Sequence, residues 1–285
     1  MGMKRDWAVT MQNIDRRVLY VALLVIVTVG LLVPLPLPLL VGPQARELFQ
    51  AIDAVPEGGM VVVSTNWSAS TQGENRPQTR VVLEHCMRKR LRFALIAFDP
   101  QSTNLAQELA EEMAREHGYE YGVKWVNWGY RADVPGTLKA MMQDIVGTYS
   151  TDSRQRRPLQ ELTVMQGIRT LRDVGAIVEV SPSGNHKYWI QFVVGSVKAP
   201  FCYAPTSIIA PELYQYLDSG QIKGMLFGIK GAAEYESLLG MKGFTTRAIS
   251  PVSLTLVLLF VLIALGNWGL YAARRRPHAP EGGEL

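Results

Sequence analysis

Six short polar segments, each following an apolar run, hold the side chains with chemical potential: residues 64–68 (STNWS), 99–102 (DPQS), 127–131 (NWGYR), 181–186 (SPSGNH), 206–207 (TS) and 230–231 (KG). From them come Asn66, Trp67, Asp99, Asn127, Trp128, Arg131 and His186. Indole faces can pack a flat polar molecule while amides and a guanidinium orient it, so this set points to a small polar ligand. Acid–base catalysis would need Asp99 together with His186 or Arg131; His186, in a Ser/Gly/Asn loop, is the only histidine placed for proton transfer. Each residue also has a plainer role. Asp99 before Pro100 and Ser181 before Pro182 are helix-start and turn signals, Trp67 and Trp128 can cover a sheet edge, and Arg131 can pair with Asp133 on the surface.

Familiar enzyme signatures are missing. The first apolar strand leads into Ser64-Thr65-Asn66-Trp67 rather than G-x-G-x-x-G, so no dinucleotide is expected. The patterns G-x-x-x-x-G-K-[ST], G-x-S-x-G and H-E-x-x-H do not occur either. His85, His117, His186 and His278 are scattered and there is no C-x-x-C, so neither a metal nor another cofactor is expected. His85 and Cys86 are adjacent, but consecutive helical residues point about 100° apart and form no nucleophile–base pair. Arg154, Arg156 and Arg157 make a basic loop, read as solvated. Asn66-Trp67-Ser68 matches the glycosylation triplet, which matters only in a glycosylating host. Cys86 and Cys202, the only cysteines, fall in a helical and a strand pattern and are read as free and buried.

The six segments need a scaffold. From about residue 44 helical and strand patterns alternate, as in βαβ units with a largely parallel sheet. Strands are expected at 59–64, 91–98, 121–128, 176–180, 200–204 and 224–227. Helices are expected at 44–54, 75–90, 105–117, 137–149, 159–174, 211–219 and 232–239, with 188–197 readable as either. Residues 102–104 offer caps for the 105–117 helix and Gly118 its stop. Ligands of open parallel sheets bind beyond the carboxyl ends of the strands, near the point where strand order reverses, and the polar segments would sit there. The expected fold class is α/β: a Rossmann-like, mostly parallel open sheet flanked by helices, with one transmembrane helix at each end.

Of the 285 residues, 48% are hydrophobic and the net charge is +4, yet residues 18–43 and 248–273 contain no Asp, Glu, Lys or Arg. A bilayer core of about 30 Å needs about 20 apolar residues in a helix, and both windows suffice. The first helix should start near Asp15 and end near Val33, before Pro34, Pro36 and Pro38. Lys4, Arg5, Arg16 and Arg17 flank one window and Arg274, Arg275 and Arg276 the other, which puts both termini in the cytoplasm. No small-x-small triplet follows the first window, so an uncleaved anchor is expected rather than a signal peptide. The expected organisation is a cytoplasmic segment (1–14), a transmembrane helix with a Pro-rich exit (15–42), an extracytoplasmic domain (43–248), a second transmembrane helix (249–273) and a cytoplasmic basic tail (274–285), in the plasma membrane. Residues 43–248 hold 22 Lys and Arg against 21 Asp and Glu, so nucleic acid is not an expected partner.

Residues 210–240 (APELYQYLDSGQIKGMLFGIKGAAEYESLLG) resemble a segment of uncharacterised prokaryotic two-span membrane proteins with a Rossmann-like extracytoplasmic domain. Within it, YLDSGQIKGML is similar to the late helix–turn–strand of type I periplasmic binding proteins. The resemblance implies an outer α/β domain between two spans and carries no functional residue. Two functions stay open: a membrane-anchored binding, sensing or scaffold module, or a membrane-anchored hydrolase or transferase acting on an envelope metabolite. The expected partners are the lipid bilayer, a membrane protein or second copy of the chain, and a small polar ligand.

Overall fold

A computed structural model describes residues 15–32, 40–241 and 243–274. The chain divides into two compact units, Leu39–Thr246 and a unit made from the two chain ends, Met1–Pro38 with Arg247–Leu285.

The larger unit is built on five strands: β1 (Met60–Thr65), β2 (Arg92–Ala97), β3 (Trp125–Tyr130), β4 (Ala176–Ser181) and β5 (Phe201–Pro205). All four pairings are parallel and the order is β3-β2-β1-β4-β5. Near-continuous apolar runs such as Val61-Val62-Val63 are what a sheet covered on both faces requires. The expected strand at 224–227 contributes only an isolated bridge, Tyr203 to Met225, before a helix begins. The expected 121–128 strand starts later, because Gly122, at φ 79°, turns the chain ahead of Trp125.

Helices fill the crossovers: α2 (Pro43–Asp53), α3 (Gln72–Arg88), α4 (Pro100–His117), α5 (Val134–Met141), α6 (Ile145–Thr148), α7 (His186–Phe192), α8 (Tyr214–Asp218) and α9 (Gly228–Leu238). The α4 helix starts earlier than its periodicity indicates. Asp99, not residues 102–104, is its N-cap, accepting from the backbone N–H of Gln101 (2.8 Å) and Ser102 (3.2 Å), and Gly118 ends it at φ 63°.

Two expected long helices do not form. Over 137–149 the chain breaks into α5 and α6, since Asp144, extended at φ −158°, caps a new turn and the Ile145 N–H donates to Arg169 O. Over 159–174 there are three 3-10 turns instead of a helix. Gly167 is left-handed at φ 77°, and the Arg92 guanidinium donates to Val164 O (2.8 Å) and Gln166 O (2.7 Å), taking carbonyls a helix would use itself. Residues 188–197 resolve into α7, and 211–219 into the end of a 3-10 turn followed by α8.

Parallel neighbours share a face, so the registers assign the helices. Asn127 aligns with Leu95, which aligns with Val63 and so with Val178; Gln107 of α4 bonds Asn127 on that face. Glu179 and Tyr203 lie on the opposite face, where His186 and Trp189 of α7 stack on Tyr203 and Phe201. Helices α2, α3, α4 and α9 pack in one layer and α5 packs on α7 in the other. The strand order therefore reverses between β1 and β4, with crossovers on opposite faces.

The smaller unit holds α1 (Arg16–Leu32) and α10, whose helix runs over Phe244–Arg274. Within it Gly30 is buried against Pro251, where an added Cβ would come 2.7 Å from Pro251 Cα. Among the described residues one segment, Ser253–Tyr271, is long and apolar enough to cross a membrane. Its mean hydropathy is 2.1 and only 6% of it is buried, so it is apolar without being part of a core. The apolar side chains of α1, including Tyr20, Leu24 and Leu32, are likewise exposed. The Pro-rich exit at 33–39, the expected cytoplasmic segment 1–14 and residues 275–285 lie outside the described residues.

Candidate functional site

The crevice between β1 and β4 is where a doubly wound sheet ordinarily opens to a ligand. Here it is closed by side chains of the protein itself. Asn66, buried just past β1, donates through Nδ2 to Ser64 Oγ (2.9 Å) and Glu179 Oε1 (3.2 Å), and its Oδ1 accepts from the Phe98 N–H (2.5 Å). One amide thus ties β1, β4 and the end of β2 together.

Sequence reasoning missed Glu179, the one acid in the apolar strand AIVEVS, although a lone charge in a buried run is a legible signal. It is fully buried, and burial pushes its carboxyl up to about 8, with Asn66 and the nearby Trp189 and Ser181 drawing it back. Oε2 and the Trp189 indole N–H both lack a partner within hydrogen-bond geometry. The group is therefore mostly a neutral acid at pH 7. His186 lies deeper than a loop histidine should, stacked on Tyr203 (5.1 Å) and edge-on to Tyr216 (5.3 Å), with neither ring nitrogen bonded. Burial lowers its pKa and keeps the ring neutral.

The remaining candidates divide by what already occupies them. Trp67 is fully buried and its indole donates to Thr79 Oγ1 (3.1 Å), so it belongs to the core under α3. Asp99 is engaged as the α4 cap. Asn127 is buried, donating to Gln107 Oε1 (2.8 Å) and Thr103 O (3.3 Å) and accepting from the Gly129 N–H (2.9 Å). Arg131 makes no ion pair with Asp133, which caps α5 through the Gly136 N–H. Instead its Nη2 donates to Thr148 O (2.6 Å) and its guanidinium lies over the Tyr149 ring, 4.7 Å from the centroid. Asp99, His186 and Arg131 do not converge on a shared hydrogen bond.

Among the polar segments, residues 127–131 open onto a cavity of about 340 Å³ beyond the carboxyl end of β3, lined by Trp128, Gly129, Tyr130 and Arg131 together with Ser150–Ser153 and Arg156. Two features shape it. The β2–β3 register shifts between Leu95 and Ile96, leaving Trp128 unpaired, and the next residue, Gly129, sits at φ 102°, where a Cβ would meet Ser153 at 3.1 Å. Asp152, fully buried, then organises the 152–157 loop: it accepts from Tyr121 Oη (2.7 Å) and the N–H groups of Arg154 (2.9 Å), Gln155 (2.7 Å) and Arg157 (2.7 Å). Burial alone would raise its pKa, but these donors outweigh burial and hold the carboxyl below its ordinary value.

The basic loop is split by this folding. Arg154 pairs with Glu111 (2.7 Å) and covers Tyr121, while Arg156, left-handed at φ 57°, lines the cavity. Arg156, read from sequence as part of a solvated basic loop, lines the cavity instead, and the Ser150–Ser153 run is the part of the site that sequence patterns did not single out. No group of His, Cys, Asp and Glu among the described residues is arranged to hold a metal ion. No protein-family model, curated protein or solved structure matches this chain.

Proposed function

We propose that the chain is a membrane-anchored binding or sensing module: an α/β domain held outside the plasma membrane by α1 and α10, which takes a small polar ligand at the carboxyl edge of its sheet. The observation that carries this reading is the polar cavity beyond β3, open and lined by donors, at the edge where parallel sheets bind ligands. Double anchoring rests on two apolar, outward-facing helices with arginines at their outer ends, the pattern of uncleaved spans with both termini inside. A domain fixed to the bilayer at both ends suits work beside a membrane-protein partner or a second copy of the chain.

The second reading, a hydrolase or transferase, has one observation in its favour: Glu179 is a fully buried carboxyl, pushed up by burial, at the point where strand order reverses. Against it, Glu179 and His186 are both buried, and the cavity beyond β3 is lined by neither. The binding reading is therefore preferred.

The test is thermal denaturation of the full chain in lipid nanodiscs against a library of polar metabolites, because a ligand of the native state must raise the melting temperature. A rise that is retained in Glu179→Gln and lost in Arg131→Gln is expected. A compound that is turned over by the parent but not by Glu179→Gln would replace this reading with the enzymatic one. Reporter fusions at both termini test the topology, with cytoplasmic signals expected from each.

A further inference from the structure

We propose that the cavity beyond β3 is an oxyanion site that takes a phosphate group, as inorganic phosphate or the phosphate of a small monoester; this rests on the binding reading above. Its lining is almost all donor. Arg131 is fixed from behind, one N–H to Thr148 O and its plane on Tyr149, which leaves the rest of its guanidinium fork for a ligand. Arg156 also faces no carboxylate partner, since the ion pairs of this region are made by Arg154.

The acceptor side is empty by construction. Asp152 is the one carboxylate in the lining, and both its oxygens are occupied by Tyr121 and the backbone N–H groups of its own loop. It makes no ion pair with Arg131 or Arg156. Ser150, Thr151 and Ser153 bring hydroxyls, and Trp128, which also lines the cavity, carries a buried indole N–H with no partner. Two guanidinium groups without a carboxylate partner, together with three hydroxyls, offer what a multiply accepting anion needs. The volume of about 340 Å³ accommodates a phosphate with a small polar body.

The geometry also separates recognition from catalysis. Fixed guanidinium groups and hydroxyls can hold a tetrahedral anion, whereas no imidazole lines the cavity and its one carboxylate, Asp152, accepts four hydrogen bonds from Tyr121 and its own loop. The site is accordingly assigned to binding, with no bond made or broken in the ligand.

The experiment uses the full chain in phosphatidylcholine nanodiscs, with isothermal calorimetry and thermal denaturation against inorganic phosphate, glucose 6-phosphate and glucose. Arg156→Gly is the informative variant, because it removes the charge at an exposed left-handed position that glycine adopts without strain. The expected result is that phosphate or its monoester binds, that glucose does not, and that Arg156→Gly weakens binding at least tenfold with an unchanged melting temperature in the absence of ligand. Arg131→Gln should weaken it further. Nanodiscs containing phosphatidate distinguish the source of the group. A melting-temperature rise confined to those discs and lost in Arg156→Gly marks a lipid headgroup, and equal binding of the soluble monoester in both discs marks a free ligand. Glucose binding as tightly as its phosphate would overturn the oxyanion assignment while leaving the binding reading intact. So would a chain that ignores every oxyanion up to about 10 mM yet binds a neutral compound. A well-folded chain that binds no compound of any charge defeats both.

Discussion

Asn66 Nδ2 donates to Glu179 Oε1 at 3.2 Å across the β1–β4 boundary, so the place where strand order reverses is bridged by an amide and a carboxylic acid rather than left as a crevice. The bridge joins residues far apart in sequence, Asn66 lying two residues beyond Ser64, the register partner of Glu179.

That acid gives the domain a pH signature. Glu179 rises from 4.5 to about 8 on folding, so between those values the unfolded chain has lost a proton that the native chain keeps. Stability then falls as pH rises through this window, by an amount on the order of a few kcal/mol. His85 acts in the opposite sense: burial lowers it from 6.5 to about 4, and the stability it contributes is lost as pH falls through that range. Above pH 6.5 only the Glu179 effect remains of these two, so the melting temperature of the wild-type chain should drop between about pH 6.5 and 8. Glu179→Gln should flatten that limb. An equally steep limb in the variant would remove Glu179 as its cause.

Asp152 holds the loop that forms the floor of the cavity. Asp152→Ala leaves Tyr121 Oη and three backbone N–H groups without their acceptor and should cost about 2–4 kcal/mol. Trypsin should then cut at Arg154 or Arg156 faster than in the parent, as read by limited proteolysis with mass spectrometry. Unchanged cleavage would mean that the loop is held by other contacts.

The two cysteines should be silent. Cys86 and Cys202 are both free and fully buried, and burial pushes each thiol up to about 12, so neither presents a thiolate at neutral pH. The native chain should resist maleimide labelling, take two labels after denaturation, and run identically with and without reductant. Rapid labelling of the folded chain would contradict the burial of both positions.

Helix pairing in the smaller unit depends on a missing side chain. An added Cβ at Gly30 would meet Pro251 Cα at 2.7 Å, whereas Gly266 has nothing within 4 Å. Gly30→Leu should therefore destabilise the chain in detergent by about 1–3 kcal/mol, and Gly266→Leu should not. Equal effects in a denaturation series would show that the close approach at Gly30 carries no stability.

Local features were readable along the chain because they are local in origin. The runs Met60–Thr65, Arg92–Ala97, Ala176–Ser181 and Phe201–Pro205 are apolar enough to read as strands without a partner in view, and Gly118 announces the end of α4. The outward-facing apolar helix Ser253–Tyr271 was legible for the same reason, since composition over 19 residues decides it. Residues 159–174 misled because helical periodicity and three packed 3-10 turns bury similar positions, and the choice between them was made by Arg92, which reaches over from β2 to take two of their carbonyls.

The site divides in the same way. Polar segments after strands mark the carboxyl edge from sequence alone, and Trp128 and Arg131 do line the open cavity. Sequence could not tell that Trp67 would turn into the core, that Asn66 would be bound by a strand more than a hundred residues away, or that Asp152 would spend its charge on its own loop. Those outcomes depend on strand order and register, which place side chains from distant segments within hydrogen-bond reach. Periodicity reports which face of an element is buried; only the tertiary structure decides which polar atoms meet there and which are left facing solvent.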